Sequence, residues 1–396
     1  MNKRKLRIGA VGLGRAFSLM LPTFVRHPLV EMVAGADPRA DARAKFTTDF
    51  GGKGYENIAQ LCADPNVEAV YVSTPHELHA EQVCYAASKG KHVLVEKPMA
   101  LTLEDCAAMN EATRKAGVAL VVGHSHSFDA PIAKTREMIA SGAYGKLRMI
   151  HSLNYTDWLY RPRRPEELGD SGGVLFNQAP HQVDVARLLA GGDAKTVRAM
   201  AGDWDSKRPT TVAYSALVTF GDGVFASLTY SGFAHFDSDE FMNWTGEGGQ
   251  PKSAANYGAA RRAMANVNDE VAMKNARNYG GAGFNEPRSA PGLETKHPHF
   301  GLVVASCDHA DLRPTTDGMM VYGDGEAKFE PLAPPAVPRG EVIDEFYAAV
   351  VEGKKPLHDG AWSLATMEVC LAMRESAREQ KEVVLKQQVA LAQASS

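Results

Sequence analysis

Short apolar segments alternate with amphipathic ones along the first third of the chain, and this alternation constrains the fold more than any other feature. Segments of strand length occupy residues 6–12, 30–36, 69–75, 92–98 and 118–124, and helical patterns lie between them. Parallel strands require a crossover that packs on a face of the sheet, and helices of this length provide it. The alternation therefore predicts an α/β fold with a parallel, doubly wound sheet of the Rossmann type.

Length and composition limit the class of protein. With 396 residues, 44% hydrophobic and 23% charged, the chain can bury a large core and is expected to form two domains. The net charge is −4 and both signs are mixed along the chain, which disfavours nucleic acid as a partner and favours a small-molecule substrate. No apolar run approaches the ~18 residues of a spanning helix, so we expect a cytoplasmic protein with no membrane partner.

The cysteines indicate a reduced protein. All five are scattered without a CxxC pair or a regular spacing, which predicts thiols rather than disulfides or zinc ligands. They are Cys62, Cys84, Cys106, Cys307 and Cys370.

A glycine pair follows the first predicted strand and predicts a phosphate-binding turn. Gly12 and Gly14 allow a tight turn and a close backbone approach to a pyrophosphate, and the helix that begins at Arg15 and Ala16 supplies free N–H groups. The third position of the GxGxxG pattern is Phe17, so the fingerprint is incomplete. A glycine pair after a strand is also common as a simple turn, and this alternative stays open on the glycines alone.

Asp37 strengthens the nucleotide interpretation. It ends the second predicted strand at a distance from the glycine loop that suits a carboxylate binding a ribose diol. A carboxylate there repels a 2′-phosphate and favours NAD, although Arg39 is placed where it could accommodate NADP. Because Asp37 precedes Pro38, it could also be a helix N-cap, and both roles are compatible.

Motifs at later strand ends complete a family pattern. With the glycines and Asp37, the segments Ser73-Thr74-Pro75 and Glu96-Lys97-Pro98 and the stretch GGVLFNQAPHQVDVARLL at 172–189 resemble the Gfo/Idh/MocA family of NAD(P)-dependent oxidoreductases. The resemblance runs nearly end to end. It implies that the cofactor, NAD or NADP, is contacted by Gly12, Gly14, Arg15, Ala16, Asp37, Arg39, Thr74, Pro75, His76, His79, Glu96, Lys97 and His124.

The resemblance also implies the domain organisation. Residues 1–127 would form the NAD(P)-binding Rossmann domain, and residues 128–396 a substrate-binding α+β domain with an open, largely antiparallel sheet. In relatives the outer face of this sheet makes a homodimer or homotetramer interface. Within the second domain, residues 238–300 are expected to form an inserted lid or oligomer arm, and residues 341–380 the returning C-terminal helices.

Lys97 is the first catalytic candidate. The family resemblance places the lysine of this motif against the nicotinamide and the reacting hydroxyl. Oxidation of an alcohol by hydride transfer also requires removal of the hydroxyl proton. A lysine can take part if desolvation and the positive nicotinamide lower its pKa. The alternative for a lone lysine is a solvated strand end.

His181 is the second catalytic candidate. Asn177, His181 and Asp184 have the i, i+4, i+7 spacing of one helical face, and imidazole suits proton relay near neutral pH. The family commonly has Asp at the first of these positions. Because Asn177 cannot accept a proton, we expect Lys97 and His181 to share the proton transfer, with Asn177 and Asp184 orienting them. A histidine in a core hydrogen bond is the alternative.

Two further stretches suggest the substrate. His126 follows His124 in VVGHSHSFDAP and is expected to line the nicotinamide and substrate pocket. Metal binding by the pair is the lesser alternative, because no carboxylate-rich motif accompanies it, and no metal is predicted. A basic cluster beside aromatic residues suggests an anionic substrate, since guanidinium groups bind carboxylates bidentately. The remaining expected substrate contacts are Trp158, Arg161, Arg163, Arg164, Asn177 and His299, with His297 a weaker candidate. A solvated basic loop paired with Glu166 and Glu167 is the alternative.

Four segments together resemble one branch of the family, the dehydrogenases of carboxylated aromatic cis-dihydrodiols. They are GHSHSFDAP, DWLYRPRRPEEL, FNQAPHQVD and HPHFGLVVASCDHADLR. This branch would use NAD to oxidise the diol to a catechol in aromatic-acid breakdown. A sugar or polyol dehydrogenase on the same scaffold, or a cofactor-sensing regulator without turnover, are the alternatives.

Overall fold

The computed structural model describes residues 3–169, 173–284 and 296–391. Gly172 of the family motif and residues 285–295 of the predicted insertion lie outside the described residues. The α-helices are, in chain order, α1 (Arg15–Arg26), α2 (Ala40–Phe50), α3 (Ile58–Ala63), α4 (His79–Ser88), α5 (Leu103–Ala116), α6 (Ala130–Ala140), α7 (Val174–Asn177), α8 (Ala179–Ala190), α9 (Ala259–Met264), α10 (Glu270–Arg277), α11 (Gly340–Val351) and α12 (Gly360–Glu379). None of these helices is both long and apolar enough to cross a membrane.

The strands form two sheets. In chain order they are β1 (Leu6–Val11), β2 (Val30–Ala36), β3 (Lys53–Tyr55), β4 (Ala69–Val72), β5 (His92–Val95), β6 (Leu120–Val122), β7 (Leu147–Tyr155), β8 (Ala194–Gly202), β9 (Ala213–Phe220), β10 (Phe225–Ser231), β11 (Leu302–Cys307), β12 (Ala310–Thr315), β13 (Gly318–Gly323), β14 (Ala327–Pro331) and β15 (Val383–Val384).

The described chain divides into two compact units. The first comprises residues 3–124, 269–284 and 336–364, and the second comprises residues 125–268, 296–335 and 365–391. The predicted domain limits, 1–127 and 128–396, stay a prediction. The five cysteines are free thiols, as predicted.

The first unit contains the predicted Rossmann sheet. Six parallel strands have the order β3-β2-β1-β4-β5-β6, so the strand order reverses between β1 and β4. Leu6, Ile8 and the whole of β4 are buried, as the continuous apolar runs require in a sheet covered on both faces. In sheets of this type ligands bind beyond the carboxyl ends of the strands, where the order reverses.

The second unit contains the predicted largely antiparallel sheet. Its nine strands have the order β14-β13-β12-β11-β7-β10-β9-β8-β15, and only β7 and β10 pair in parallel. Helix α8 packs against β7 and β10, and α6 packs against β12 and β13. Residues that alternate with the buried ones along β8, β9 and β10 include exposed apolar side chains, Met200, Leu217 and Phe225, of which Met200 is 58% exposed.

Leu61 of α3 tests how much of the first unit's stability comes from helix packing on the sheet. Its side chain is fully buried, and a Cβ placed on Gly9 of β1 would lie 2.9 Å from one of its methyl carbons. We expect Leu61→Ala to lower the free energy of unfolding by about 2–5 kcal/mol through lost burial and a residual cavity. The measurement is chemical denaturation followed by circular dichroism.

The matched control is Leu19→Ala in α1, because that side chain is 38% exposed. It should cost less than about 1 kcal/mol. Equal losses in both variants would contradict this assignment of the packing energy.

Candidate functional site

The turn between β1 and α1 has the shape of a phosphate-binding loop. Gly12 has a φ of +86°, and a Cβ there would lie 2.8 Å from the carbonyl oxygen of Ser73. The Ser73 hydroxyl donates to the carbonyl oxygen of Gly12 at 2.8 Å. Gly14 occupies the N-cap of α1 and faces open space, since no atom lies within 4 Å of a Cβ built there. No acidic residue lies in the first turn of α1, so its N–H groups and positive dipole end can receive an anion.

Asp37 organises the neighbouring loop. Its carboxylate is buried and accepts hydrogen bonds from the backbone N–H of Leu13 at 2.8 Å and of Arg39 at 2.9 Å. Helix α2 begins at Ala40 with Arg39 at the N-cap, so the N-cap alternative for Asp37 is wrong. The carboxylate instead ties the end of β2 to the glycine loop.

The guanidinium of Arg39 is held from several sides. Its Nε donates to Asp37 Oδ1 at 3.0 Å, and Nη2 donates to the carbonyl oxygen of Leu13 at 2.7 Å. Nη1 donates to the carbonyl oxygen of Tyr279 at 3.1 Å, from the segment that follows α10. The glycine turn and the helix N-terminus together fit the pyrophosphate of a dinucleotide, and the Asp37 carboxylate orders the loop beside them.

The loop after β4 contains the next predicted cofactor contacts. Thr74 donates through its hydroxyl to Gln82 of α4 at 2.8 Å, and Pro75 precedes the short 3₁₀ turn that begins at His76. The buried ring of His79 lies between the carbonyl oxygens of Pro98, at 3.0 Å, and Thr74, at 3.1 Å. His79 thereby holds the loops after β4 and β5 together, and burial lowers the pKa of its imidazole.

The Glu96-Lys97-Pro98 motif follows β5. Glu96 is buried, and its carboxylate accepts a hydrogen bond of 2.6 Å from the hydroxyl of Tyr71. Burial raises the pKa of Glu96, against the opposing effects of Tyr71 and Lys97. Lys97 is half-buried at the carboxyl edge of the sheet, and the Lys97–Pro98 peptide is cis. His124 lies buried beyond the end of β6.

The second unit brings two histidines and a carboxylate together. His126 is buried, its Nδ1 lies 2.6 Å from Asp129 Oδ2, and its Nε2 lies 3.5 Å from Glu247 Oε1. The ring centroid of His181 lies 4.8 Å from that of His126, and both rings contact Phe300. Burial lowers the pKa of His126, but the carboxylates of Asp129 and Glu247 outweigh it and raise the pKa above its usual value. Sequence reasoning missed Glu247, whose only local signal is a lone carboxylate between glycines.

The structure divides the predicted face of Asn177, His181 and Asp184 between two helices. Asn177 ends α7, and α8 begins at Ala179, so the helical spacing is interrupted between them. Asn177 Oδ1 accepts a hydrogen bond from Trp158 Nε1 at 2.8 Å. This bond positions one of the predicted substrate contacts.

Asp184 is buried in a hydroxyl-rich environment. Its carboxylate accepts hydrogen bonds from the hydroxyls of Ser127 and, at 2.9 Å, Thr366. The guanidinium of the fully buried Arg187 donates to the same Thr366 hydroxyl at 2.8 Å. Asp184, which lies on α8, thus holds the segment around His126 and helix α12 in position through these hydrogen bonds.

One arginine of the predicted cluster, Arg163, stacks on Trp158. The guanidinium carbon of Arg163 lies 4.1 Å from the centroid of the Trp158 ring, and its Nη2 donates to the Trp158 carbonyl oxygen at 3.3 Å. Burial, together with the positive charges of Arg161 and Arg208, lowers the pKa of Arg163 to about 10. Arg208 is buried and was not predicted from the sequence. Arg163 is therefore a desolvated guanidinium that also feels the charges of two other arginines.

The other two predicted arginines differ from Arg163. Arg161 is partly exposed and pairs with Asp157 at 3.1 Å; the carboxylates of Asp157 and Glu247 raise its pKa against the effect of burial. The backbone N–H of Arg164 donates to the carboxylate of Glu167 at 3.2 Å, which orders the loop. The cluster is therefore partly built into the unit rather than a wholly solvated loop.

His299 holds a neighbouring loop. Its Nδ1 accepts from the N–H of Gly301 at 3.0 Å, so Nε2 carries the proton and donates to the carbonyl oxygen of Thr245 at 2.9 Å. The backbone N–H of His299 donates to the carbonyl oxygen of Glu247 at 3.1 Å. His126, His299 and Phe300 line a cavity of the second unit, and His297 is buried nearby in the chain.

The comparisons with known proteins agree with both folds. A family model described as "Oxidoreductase family, NAD-binding Rossmann fold" matches residues 6–124, and one described as "GFO/IDH/MocA C-terminal domain" matches residues 132–250. A solved structure from Bordetella bronchiseptica RB50 is 40% identical, with a TM-score of 0.90, and covers 96% of this chain and 100% of that one. An aldose-aldose oxidoreductase from Caulobacter crescentus shares the fold with a TM-score of 0.73 at 22% identity, covering 96% of this chain and 100% of its own.

One curated relative matches nearly the whole chain. It is a 1-carboxy-3-chloro-3,4-dihydroxycyclohexa-1,5-diene dehydrogenase from Comamonas testosteroni, 46% identical over 379 residues, which are 94% of this chain and 95% of the relative. Identity at this level and coverage extends through both units. The chain therefore belongs to the Gfo/Idh/MocA family of oxidoreductases.

Proposed function

We propose that the protein is an NAD-dependent dehydrogenase that oxidises a carboxylated aromatic cis-dihydrodiol to the corresponding catechol. The observation that carries the proposal is that Arg163 stacks on Trp158 within the electrostatic reach of Arg161 and Arg208, in the same unit as His126 and His181. The Comamonas testosteroni relative supports it, because its name specifies a carboxylated cyclic diene diol.

The arginine cluster suits a substrate carboxylate. Burial, and after it the positive charges of Arg161 and Arg208, lower the pKa of Arg163, and a bound anion would offset the repulsion between these cations. Guanidinium groups bind carboxylates in a bidentate fork, and the ring of Trp158 under Arg163 fixes the plane of that fork. Arg161 pairs with Asp157, and the negative charge of Glu247, which lies beside His126, also raises its pKa.

Lys97 and His181 are assigned to the hydroxyl proton. A bound nicotinamide cofactor accepts the hydride of the carbinol carbon. The amine of Lys97 and the imidazole of His181 receive and relay the proton of the oxidised hydroxyl, since Asn177 cannot. Asn177 fixes Trp158, and Asp184 fixes the segment around Ser127. Tautomerisation of the resulting ring ketone to an aromatic catechol then drives the oxidation forward.

NAD is preferred over NADP in this proposal. A carboxylate at the end of β2, such as Asp37, would repel a 2′-phosphate, and Arg39 is already bonded to Asp37, Leu13 and Tyr279. A guanidinium with these partners has fewer N–H groups for a phosphate. Glu96, His76 and His79 would act from the loops beyond β4 and β5 by shaping the cofactor cleft.

The same proposal includes the assembly and location. The exposed apolar side chains of Met200, Leu217 and Phe225 form an outward face on β8, β9 and β10, which suits the subunit contact of a homodimer or homotetramer.

A cytoplasmic location suits an enzyme with free thiols that uses NAD.

Substrate choice is tested by a panel and one variant. The purified protein should reduce NAD with a carboxylated aromatic cis-dihydrodiol far faster than with inositol, a glucoside or an uncharged dihydrodiol. Arg163→Ala should raise KM for the carboxylated diol by about 10- to 100-fold, because charge-assisted hydrogen bonds are lost, and should barely change KM for the uncharged diol.

The control for Arg163→Ala is Arg378→Ala, which removes an exposed guanidinium. Equal effects on the two diols would contradict carboxylate anchoring. Faster turnover of inositol or a glucoside would favour a sugar or polyol dehydrogenase, and tight NAD binding without turnover of any alcohol would favour a cofactor-sensing protein.

Lys97→Met tests the proton-transfer role. We expect kcat to fall by about 10²- to 10⁴-fold, because a group that assists proton transfer is removed, with little change in the dissociation constant for NAD. Stopped-flow turnover and NADH fluorescence titration measure the two quantities. Lys115→Met removes an exposed lysine of α5 and serves as the control. Near-normal kcat in Lys97→Met would refute the assigned role.

Asp37→Ala tests the cofactor preference. Removing the carboxylate deletes a ribose partner and releases Arg39 to pair with a 2′-phosphate. The ratio of kcat/KM for NADP to that for NAD should rise by at least about tenfold, a change of about 1.4 kcal/mol. Steady-state kinetics with each cofactor measure the ratio, and Asp41→Ala at the exposed start of α2 is the control. An unchanged ratio would show that Asp37 does not discriminate.

A further inference from the structure

His126, His181 and Glu247 have the donor set and spacing of a metal site. One ligand atom from each lies within 4.8 Å of the others, and His126 Nε2 is 3.5 Å from Glu247 Oε1. Tetrahedral Zn²⁺ with bonds of about 2.1 Å separates its ligand atoms by roughly 3.4 Å. The His126–Glu247 distance already matches this value, and a movement of His181 by about 1 Å would complete the set.

Asp129 prepares His126 for this role. An ionised carboxylate can only accept, so at 2.6 Å it receives the Nδ1–H of His126 and leaves the lone pair of the neutral ring on Nε2, toward Glu247. Histidine ligands of metals commonly donate their second nitrogen to a carboxylate in this way, which fixes the tautomer and the ring orientation. Phe300 contacts both imidazole rings and restricts their rotation.

The third ligand also lies on a constrained loop. The N–H of Gly246 donates to the carbonyl oxygen of Gln250 at 2.7 Å, which closes a tight turn around Glu247. His299 holds the same turn, because its ring donates to Thr245 and its backbone N–H donates to Glu247. The carboxylate of Glu247 remains 34% exposed, so an ion can reach it from solvent.

We propose that His126, His181 and Glu247 bind one divalent transition-metal ion of the Zn²⁺, Co²⁺ or Mn²⁺ class. Two imidazoles with one carboxylate favour such ions over Mg²⁺ and Ca²⁺, which prefer oxygen ligands. Three protein ligands leave coordination positions open, as in catalytic rather than structural sites. One position stays open in a tetrahedral site, and expansion to five ligands would admit two oxygens of one ligand, such as the vicinal hydroxyls of a diol.

The proposed metal site goes beyond the proposed function and does not depend on it. Only the role of the bound ion in diol oxidation rests on that function. A metal-bound hydroxyl is more acidic than a free one, so the ion would assist removal of the diol proton. His181 would then be a ligand, and Lys97 would receive the proton. A metal-free arrangement, with a protonated His126 between Asp129 and Glu247, is the competing interpretation.

The test is direct metal binding by the untagged, full-length protein. After dialysis against a chelator, the protein is titrated with Co²⁺ and Zn²⁺ and followed by calorimetry, by the visible absorption of Co²⁺ and by elemental analysis. We expect one ion per chain. Glu247→Gln and His181→Asn should each weaken binding by at least about tenfold, and Asp129→Asn by about 10- to 100-fold through the lost orientation of His126.

Glu240→Gln, which changes an exposed carboxylate in the same segment, should bind Co²⁺ like the unmodified protein. Absence of stoichiometric binding in the unmodified protein, or binding unchanged in folded Glu247→Gln, would overturn the proposal. Diol oxidation in protein shown to bind no metal would overturn it while leaving the proposed function intact. Stoichiometric metal binding without diol oxidation would leave the site standing and reject the proposed function.

Discussion

The close approach of Gly12 to the end of β4 is the constraint on which the nucleotide site depends. A side chain at residue 12 would collide with the carbonyl oxygen of Ser73, so the chain can turn from β1 into α1 at this point only without a Cβ. The turn places the N-terminus of α1 beside the reversal of strand order. Asp37 then fixes the glycine loop by accepting a hydrogen bond from the N–H of Leu13, so the end of β2 and the start of α1 are tied together.

Three ionisable side chains buried near the candidate sites have hydrogen-bond partners that fix their positions. Glu96 is held by Tyr71 next to Lys97, His126 by Asp129, and Asp184 by the hydroxyls of Ser127 and Thr366. A buried charge without such partners is costly. Each of these partners therefore fixes the position of a candidate site residue or of its neighbour.

The fold was largely predictable from the sequence, because its signals are local. Strand and helix periodicities, the glycine turn and the carboxylate at the end of β2 all lie within short stretches, and the parallel sheet follows from them. The spacing of Asn177 to Asp184 was less reliable, since the chain breaks between α7 and α8 where periodicity alone predicts one helix. Glu247 and Arg208 could not be found in this way, because their partners are distant in the sequence. Folding brings Glu247 to His126 and Arg208 close to Arg163.

The hydrogen bond from the Arg39 guanidinium to the carbonyl oxygen of Tyr279 has a thermodynamic consequence. The segment after α10 is anchored to the glycine loop by that carbonyl, by the Tyr279 hydroxyl on Asp49 and by its ring against Phe17. In the proposed function, a nucleotide bound at Asp37 would lie beside the same guanidinium that secures this segment. Nucleotide binding and the anchoring of this segment would then be thermodynamically coupled, each changing the other by the same coupling free energy.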